Sequence, residues 1–498
     1  MTDSPDGGWR RAVGRAVARG VARVGPWPLA VALVGTASAH SGSLGGAAAS
    51  ATVPTWLTVL TGGVVVGATF LFTTLLTDHD AMRSVNWSRV ALPAPALARR
   101  ALVRGCQLVS VALLGLVLVT GLSGTTTPTR NFALLFVWTG WWAGFTMTTY
   151  LVGNTWPAFD PFRAIAGVVR RVLDALLDGS AGTVAPDRTD GGTATVPASP
   201  APRLPEEWGV WPAVAGLLAL VYVEVVSPIG SNPRSLALIV AAYGLVTVAG
   251  AVVYGRTWFD RVDPVSRVFL TYGRVAPVQR DGDGLSLRIP GTAATEEVLP
   301  DRPGETAFVV ALLWVTTYDG LVATPLWARL VEPVVGAGVP AVLVHVVVLL
   351  AGFALFLGGY RLSSRAVRER AETYVAVDEI ERWFAPSLVP IAAGYHVAHF
   401  MGYFLTLAPA LAAVAASPLA PPATVALVLP GWFGSVKLAC VLLGHVLAVW
   451  VAHSLAFELF PGVLAAIRSQ VPTVVVMVFY TMVSLWVITQ PYVPPPFV

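Results

Sequence analysis

Two histidines three residues apart, His396 and His399 in IAAGYHVAHF (391–400), interrupt a run that is otherwise apolar or small. On a helix this spacing puts both rings on one face. Other ionisable residues fall in similar runs: Glu224 in LVYVEVVSP, Asp319 in WVTTYDGLVATPLW, His345 in AVLVHVVVLL, and His445 and His453 in GHVLAVWVAH. Such groups are costly in lipid and are functional candidates by default. Imidazole nitrogens with carboxylate oxygens suit a divalent transition metal such as zinc, copper, iron or manganese. His396, His399, His445 and His345 are the candidate ligands, with Asp319 or Glu224 as general base on a metal-activated water. A b-type haem between paired histidines fits less well, because His396/His399 and His445/His453 repeat the pairing only loosely. Interhelical hydrogen bonding without any ligand is the third account.

The elements that must position these residues are membrane spans. The 498 residues are 55% hydrophobic and 12% charged, whereas soluble chains carry about 25% charge. Apolar runs at 53–77, 102–123, 131–152, 208–228, 235–254, 306–325, 338–360, 386–409, 435–459 and 471–490 each approach the roughly 20 residues that cross a hydrocarbon core. Strand alternation is absent, so the expectation is an all-α integral membrane protein, a bundle of about ten transmembrane helices with the lipid bilayer as its main partner.

The net charge of +4 comes almost wholly from arginine, with Lys437 the one lysine. Its distribution follows the positive-inside rule rather than a nucleic-acid footprint. Arginines crowd 78–101, 153–207 and 255–305, while 410–434 has no basic residue. This places the long Arg-rich loops in the cytoplasm and the C-terminus outside, in a multi-pass protein of the cell membrane. On that topology Glu224, Asp319 and His345 lie within roughly 10 Å of the outer face, His399 and His445 near 15 Å, and His396 close to the midplane. A small-molecule or metal ligand would arrive from outside.

The N-terminus carries arginines at 10–23, the apolar run WPLAVALVG and the small-residue tail TASAHS, the layout of a secretory signal peptide or of an uncleaved first helix. Cleavage after Ala39 would make His40 an outward N-terminal residue, able to ligate a metal through amine and ring. Cys106 and Cys440 fall near opposite faces and have no CxxC partner, which argues against a disulfide or a zinc–thiolate site. Residues 178–207 are Gly, Pro, Ser, Thr and Asp with scarcely an apolar anchor and read as a disordered linker. VAPVQRDGDGLSLRIPG (275–291) reads as a small cytoplasmic hairpin turning at Asp283-Gly284.

A parallel repeat organises the front half. GNTWPAFDPFR (153–163) and GRTWFDRVDPVSR (255–267) share Gly, Thr-Trp, Asp-Pro and Arg in order. Trp156 and Trp258 suit the membrane interface, and Asp160 and Asp263 suit helix N-caps with proline next. The units are then 1–39, 40–177, the linker, 208–305 and a histidine-bearing bundle 306–498.

The stretches TTYDGLVATPLW, LVPIAAGYHVAHF and LLGHVLAVWVAHSLAFELFP resemble a family of actinobacterial and haloarchaeal polytopic membrane proteins, the fenitrothion hydrolase-like proteins. AHSGSLGG (39–46), GNTWPAFDPFR and WGVWPAVAGLLALVYVEVVSP (208–228) extend the resemblance over most of the chain. It implies membrane-bound hydrolysis of a phosphoester, with His40, Glu224, Asp319, His345, His396, His399, His445 and His453 at the matching positions. No HExxH, GxSxG or P-loop motif accompanies them. A metal- or proton-coupled permease and a non-catalytic scaffold are the alternatives. A relay needs polar groups from face to face, whereas a hydrolase needs a pocket closed at its inner end.

Overall fold

The computed structural model describes residues 54–93, 95–178, 204–282, 284–296 and 298–495. The expected signal peptide, His40 and nearly all of the linker lie outside them.

The front half begins with α1 (Thr55–Thr73), α2 (His79–Asn86), β1 (Arg89–Leu92) and α3 (Ala96–Ser123). The next helix, α4, runs through Phe132–Leu134, a π-helical segment Leu135–Phe145 and Thr146–Leu151. Short α5 (Trp156–Phe159) and amphipathic α6 (Pro161–Asp178) carry the first repeat motif. After the linker come α7 (Trp211–Val225), α8 (Pro233–Tyr254), and then α9 (Arg256–Arg261) and α10 (Pro264–Gly273) with the second motif. The hairpin strands are β2 (Val278–Asp281) and β3 (Gly284–Arg288). The rear bundle is α11 (Glu305–Val322), α12 (Pro325–Gly336), α13 (Ala341–Arg370), α14 (Val377–Phe384), α15 (Val389–Ala416), α16 (Phe433–Leu459) and α17 (Val463–Thr489).

Among the described residues, eight helical stretches are long and apolar enough to cross a membrane. The protein is an all-α, multi-pass membrane architecture. The two expected spans missing from this set have physical reasons. The helix Trp211–Val225 has 15 residues, about 22 Å at 1.5 Å each, short of a hydrocarbon core. Phe132–Leu151 is continuous, but its middle 11 residues adopt π geometry, a widening that concentrates at functional sites.

The hairpin forms, with differences. Asp281 pairs with Gly284, so the turn holds Gly282, at φ +57, and lies one residue earlier than expected. β1 joins as a third strand in the order β1-β3-β2.

Helix α11 is the centre of the rear bundle, packed by α7, α13, α15 and α17. All its residues are buried except Asp319 and Leu321. Helices α15 and α16 meet backbone to backbone: a Cβ on Gly394 would lie 2.6 Å from the Cys440 carbonyl oxygen, and one on Gly444 would lie 2.5 Å from that of Pro390. Small residues let lipid-embedded helices approach this closely. The contact fixes the rotation of the helix that carries His396 and His399.

Both repeat motifs fold alike. Asp160 accepts from the Phe162 and Arg163 amides at 3.0 and 3.1 Å, and Asp263 from the Val265 and Ser266 amides at 3.3 and 3.2 Å. Each caps a helix opened by proline, as expected. Trp156 faces protein: it is buried, stacks on Phe269 at 4.8 Å and donates from Nε1 to Ser266 Oγ at 3.2 Å. The second motif supplies these partners, so the tryptophan binds the two copies together.

Candidate functional site

Asp319 and His399 come together. Asp319, near the end of α11, puts Oδ2 3.0 Å from Nε2 of His399 on α15, and the two side chains are 13% and 14% exposed. The ring is not aligned for a hydrogen bond, so Nε2 meets the carboxylate by proximity rather than by a directed N–H. Tyr395 lies parallel to His399, with centroids 6.0 Å apart. A side chain on Gly320 would strike the Tyr395 hydroxyl. Glycine beside Asp319 therefore admits Tyr395 against α11 and brings the histidine one turn later to the carboxylate.

His396 takes a different neighbour. Its Nδ1 is 2.9 Å from the Tyr150 hydroxyl at the end of α4, and its Nε2 is buried without a partner. Trp142 of the π segment meets the ring edge-on at 5.9 Å, Phe400 packs at 4.5 Å and Tyr272 of α10 at 5.7 Å. Tyr150 and Tyr272 are themselves 5.3 Å apart. The two histidines share a helix and one broad face, yet one turns to α11 and the other to α4 and α10.

The remaining candidates separate. His345 on α13 bonds through Nδ1 to the Tyr318 hydroxyl at 2.9 Å and lies 4.9 Å from the Trp327 ring. His445 on α16 contacts the Val441 carbonyl through Nδ1 at 2.8 Å. A carbonyl only accepts, so that nitrogen carries the hydrogen and Nε2, buried without a partner, presents a lone pair. His453 places Nδ1 2.9 Å from Gln470 Oε1 and Nε2 3.0 Å from the Leu76 carbonyl, an internal tie among α16, α17 and the turn after α1. Glu224 is half-buried at the end of α7, where Gly230 sits against its carbonyl and receives the Trp138 indole N–H at 2.8 Å.

Among the described residues, no three His, Cys, Asp or Glu side chains are disposed to hold a metal ion. The expected set of His396, His399, His445 and His345 is spread over separate contacts, and His40 lies outside the described residues.

Sequence reasoning passed over Tyr150, Tyr272, Tyr318 and Tyr395, each fully or nearly fully buried and each set against a histidine. Their signal was available: tyrosine inside an apolar run needs a partner for its hydroxyl.

The chain matches no protein-family model, no curated protein and no solved structure. The reading of the site therefore rests on its own geometry.

Proposed function

We propose that the protein moves protons across the membrane, as a proton-coupled transporter of a small solute. The observation that carries this reading is the Asp319–His399 pair, partly exposed on the most enclosed helix of the bundle. Neighbouring helices surround α11, and Asp319 keeps a small exposed fraction among them. An imidazole can donate from one ring nitrogen and accept at the other, and a carboxylate can accept.

Inward from the pair, polar groups continue. His396 is one turn from His399, about 4.5 Å along the axis. Its ring contacts the Tyr150 hydroxyl, and Tyr272 follows on α10, which belongs to the Arg-rich face. Hydroxyl and imidazole groups pass protons by donating on one side and accepting on the other. Asp319 and His399 act as the outward proton acceptor and His396 with Tyr150 as the inward step. On this topology the outer face receives the solute.

The test is reconstitution into vesicles carrying an internal pH-sensitive dye, with a potential imposed by potassium and valinomycin. Wild-type protein acidifies the lumen faster than empty vesicles, and Asp319→Asn and His399→Gln abolish the difference. Equal rates for wild-type and empty vesicles sink the reading.

Membrane-bound hydrolysis of a phosphoester, which the family resemblance implies, is the second reading. The open Nε2 lone pair of His445 favours it, since metal-binding imidazoles are commonly fixed through their other nitrogen. A metal there would need ligands beyond the described residues, with His40 the candidate, and it would supply a water acidic enough to attack at neutral pH. Elemental mass spectrometry of the purified protein beside a His396→Ala, His399→Ala variant and a His445→Ala variant decides it. Near-stoichiometric zinc, copper, iron or manganese, lost on substitution, supports the hydrolase; its absence from all three leaves the proton reading.

A further inference from the structure

The aspartates of the two repeat motifs, far apart in sequence, converge on one tyrosine. Tyr243 of α8 donates its hydroxyl hydrogen to Asp263 Oδ1. Its ring packs against that of Phe162, two residues after Asp160, at 5.4 Å. Asp160 and Asp263 are 1% and 2% exposed, each at the N-cap of its motif's helix. The Asp160 Oδ2 atom is buried and lacks a hydrogen-bond partner. We infer that Asp160 and Asp263 form a buried acid pair that holds one proton.

The count of charges supports this. The nearest cation is Arg163 on α6, whose Nε lies 3.5 Å from Asp160 Oδ2 without a hydrogen bond and whose guanidinium sits 3.9 Å above the Phe259 ring. Two further guanidinium groups on the surrounding elements are engaged elsewhere. Arg267 on α10 is bound to Glu305 at 2.6 Å and to the Asp260 carbonyl. Arg261 on α9 is spent on the carbonyls of Gly209 and Pro205. Asp260 on α9 is exposed. Helix α3, packed on α6, brings Arg99, Arg100 and Arg104 to the same end of the bundle, the last two exposed. Two buried carboxylates beside one guanidinium leave a net negative charge in a region stripped of water, and one proton neutralises it.

Burial, and then the charge of Asp263, push the Asp160 carboxyl up to about 7. Burial raises Asp263 as well, while the bonds from Ser266, Tyr243 and Val265 oppose the rise. The Tyr243 bond stabilises charge on Asp263, so the proton resides mainly on Asp160. The site exists only where the two motifs pack together, and Asp263 caps the helix whose far end carries Tyr272 against His396. Its existence does not depend on the transport reading.

The experiment is an infrared pH titration of the full-length protein in lipid nanodiscs, with carbon-13-labelled aspartate to identify the carboxyl stretch. The expected result is one protonated aspartyl band that disappears with a midpoint near 7. Asp160→Asn removes that titration, Asp263→Asn moves its midpoint down because the second charge is gone, and both keep an N-cap oxygen. Tyr243→Phe retains the band and moves its midpoint up by about one pH unit, because the charged form loses a hydrogen bond. If the asparagine variants fail to fold, Arg163→Gln supplies the decisive measurement, with a midpoint shifted upward. No protonated aspartyl band at neutral pH, or a band untouched by all the substitutions that fold, overturns the inference.

Discussion

Asp319 and His399 meet at 3.0 Å across α11 and α15, and each keeps a small exposed fraction, although nearly all the other residues of α11 are buried. A carboxylate and an imidazole held that way are reachable and mutually dependent.

Replacing Asp319 by asparagine removes the charge without changing the volume. Proton flux into vesicles should fall about a hundredfold, the low end of what a positioned acid–base group contributes, while the melting temperature in detergent changes by a few degrees at most. A melting temperature that collapses with flux would make the pair structural.

Tyr150→Phe and Tyr318→Phe make a matched comparison. Each deletes a hydroxyl bonded to a buried histidine Nδ1 at 2.9 Å, which costs about 1–3 kcal/mol by leaving that nitrogen unsatisfied. Only Tyr150 lies on the proposed path, through His396. Flux should drop with Tyr150→Phe and stay at the wild-type rate with Tyr318→Phe, at similar losses of thermal stability.

At Gly394, alanine would bring a Cβ within 2.6 Å of the Cys440 carbonyl oxygen and 3.0 Å of the Gly444 Cα. Neither is the tip of a flexible side chain, so α15 and α16 must part. A loss of about 1–3 kcal/mol is expected, read as a lowered melting temperature; unchanged stability would mean that the close crossing is absent.

The raised carboxyl of Asp160 makes stability depend on pH with a definite sign. Its native value of about 7 stands above the ordinary aspartate value of 3.8, so the folded state binds more protons than the unfolded state between these limits. Its contribution is fully present below about 4 and is lost as pH rises through about 7. The upper bound is about 4 kcal/mol for a three-unit shift. Melting temperature should fall from pH 5 to pH 8 in wild-type protein, and the Asp160→Asn variant should lose most of that slope.

Much of the architecture was legible in the chain because a bilayer imposes simple demands. Runs of apolar residues have to be helices there, since no other open structure satisfies its backbone, and eight of these appear among the described residues. The N-caps at Asp160 and Asp263 were readable because a cap is a local bond between a side chain and amides two or three residues on. The π segment was not, because Leu135–Phe145 carries no local mark that distinguishes it from an α-helix. The seven intramembrane candidates with ionisable side chains were also visible in sequence, since polarity inside lipid needs no fold to be noticed. Which of them meet was decided by tertiary structure alone. His396 and His399 share a helix face, but the Gly394–Gly444 contact and the Gly320–Tyr395 contact set the rotation that gives one to Tyr150 and the other to Asp319. Likewise the two motifs announced a repeat, and only their packing around Tyr243 turned two separate caps into one buried acid pair. Helix rotation and the packing of distant segments depend on side chains of other helices, and a single chain's periodicity holds no record of these.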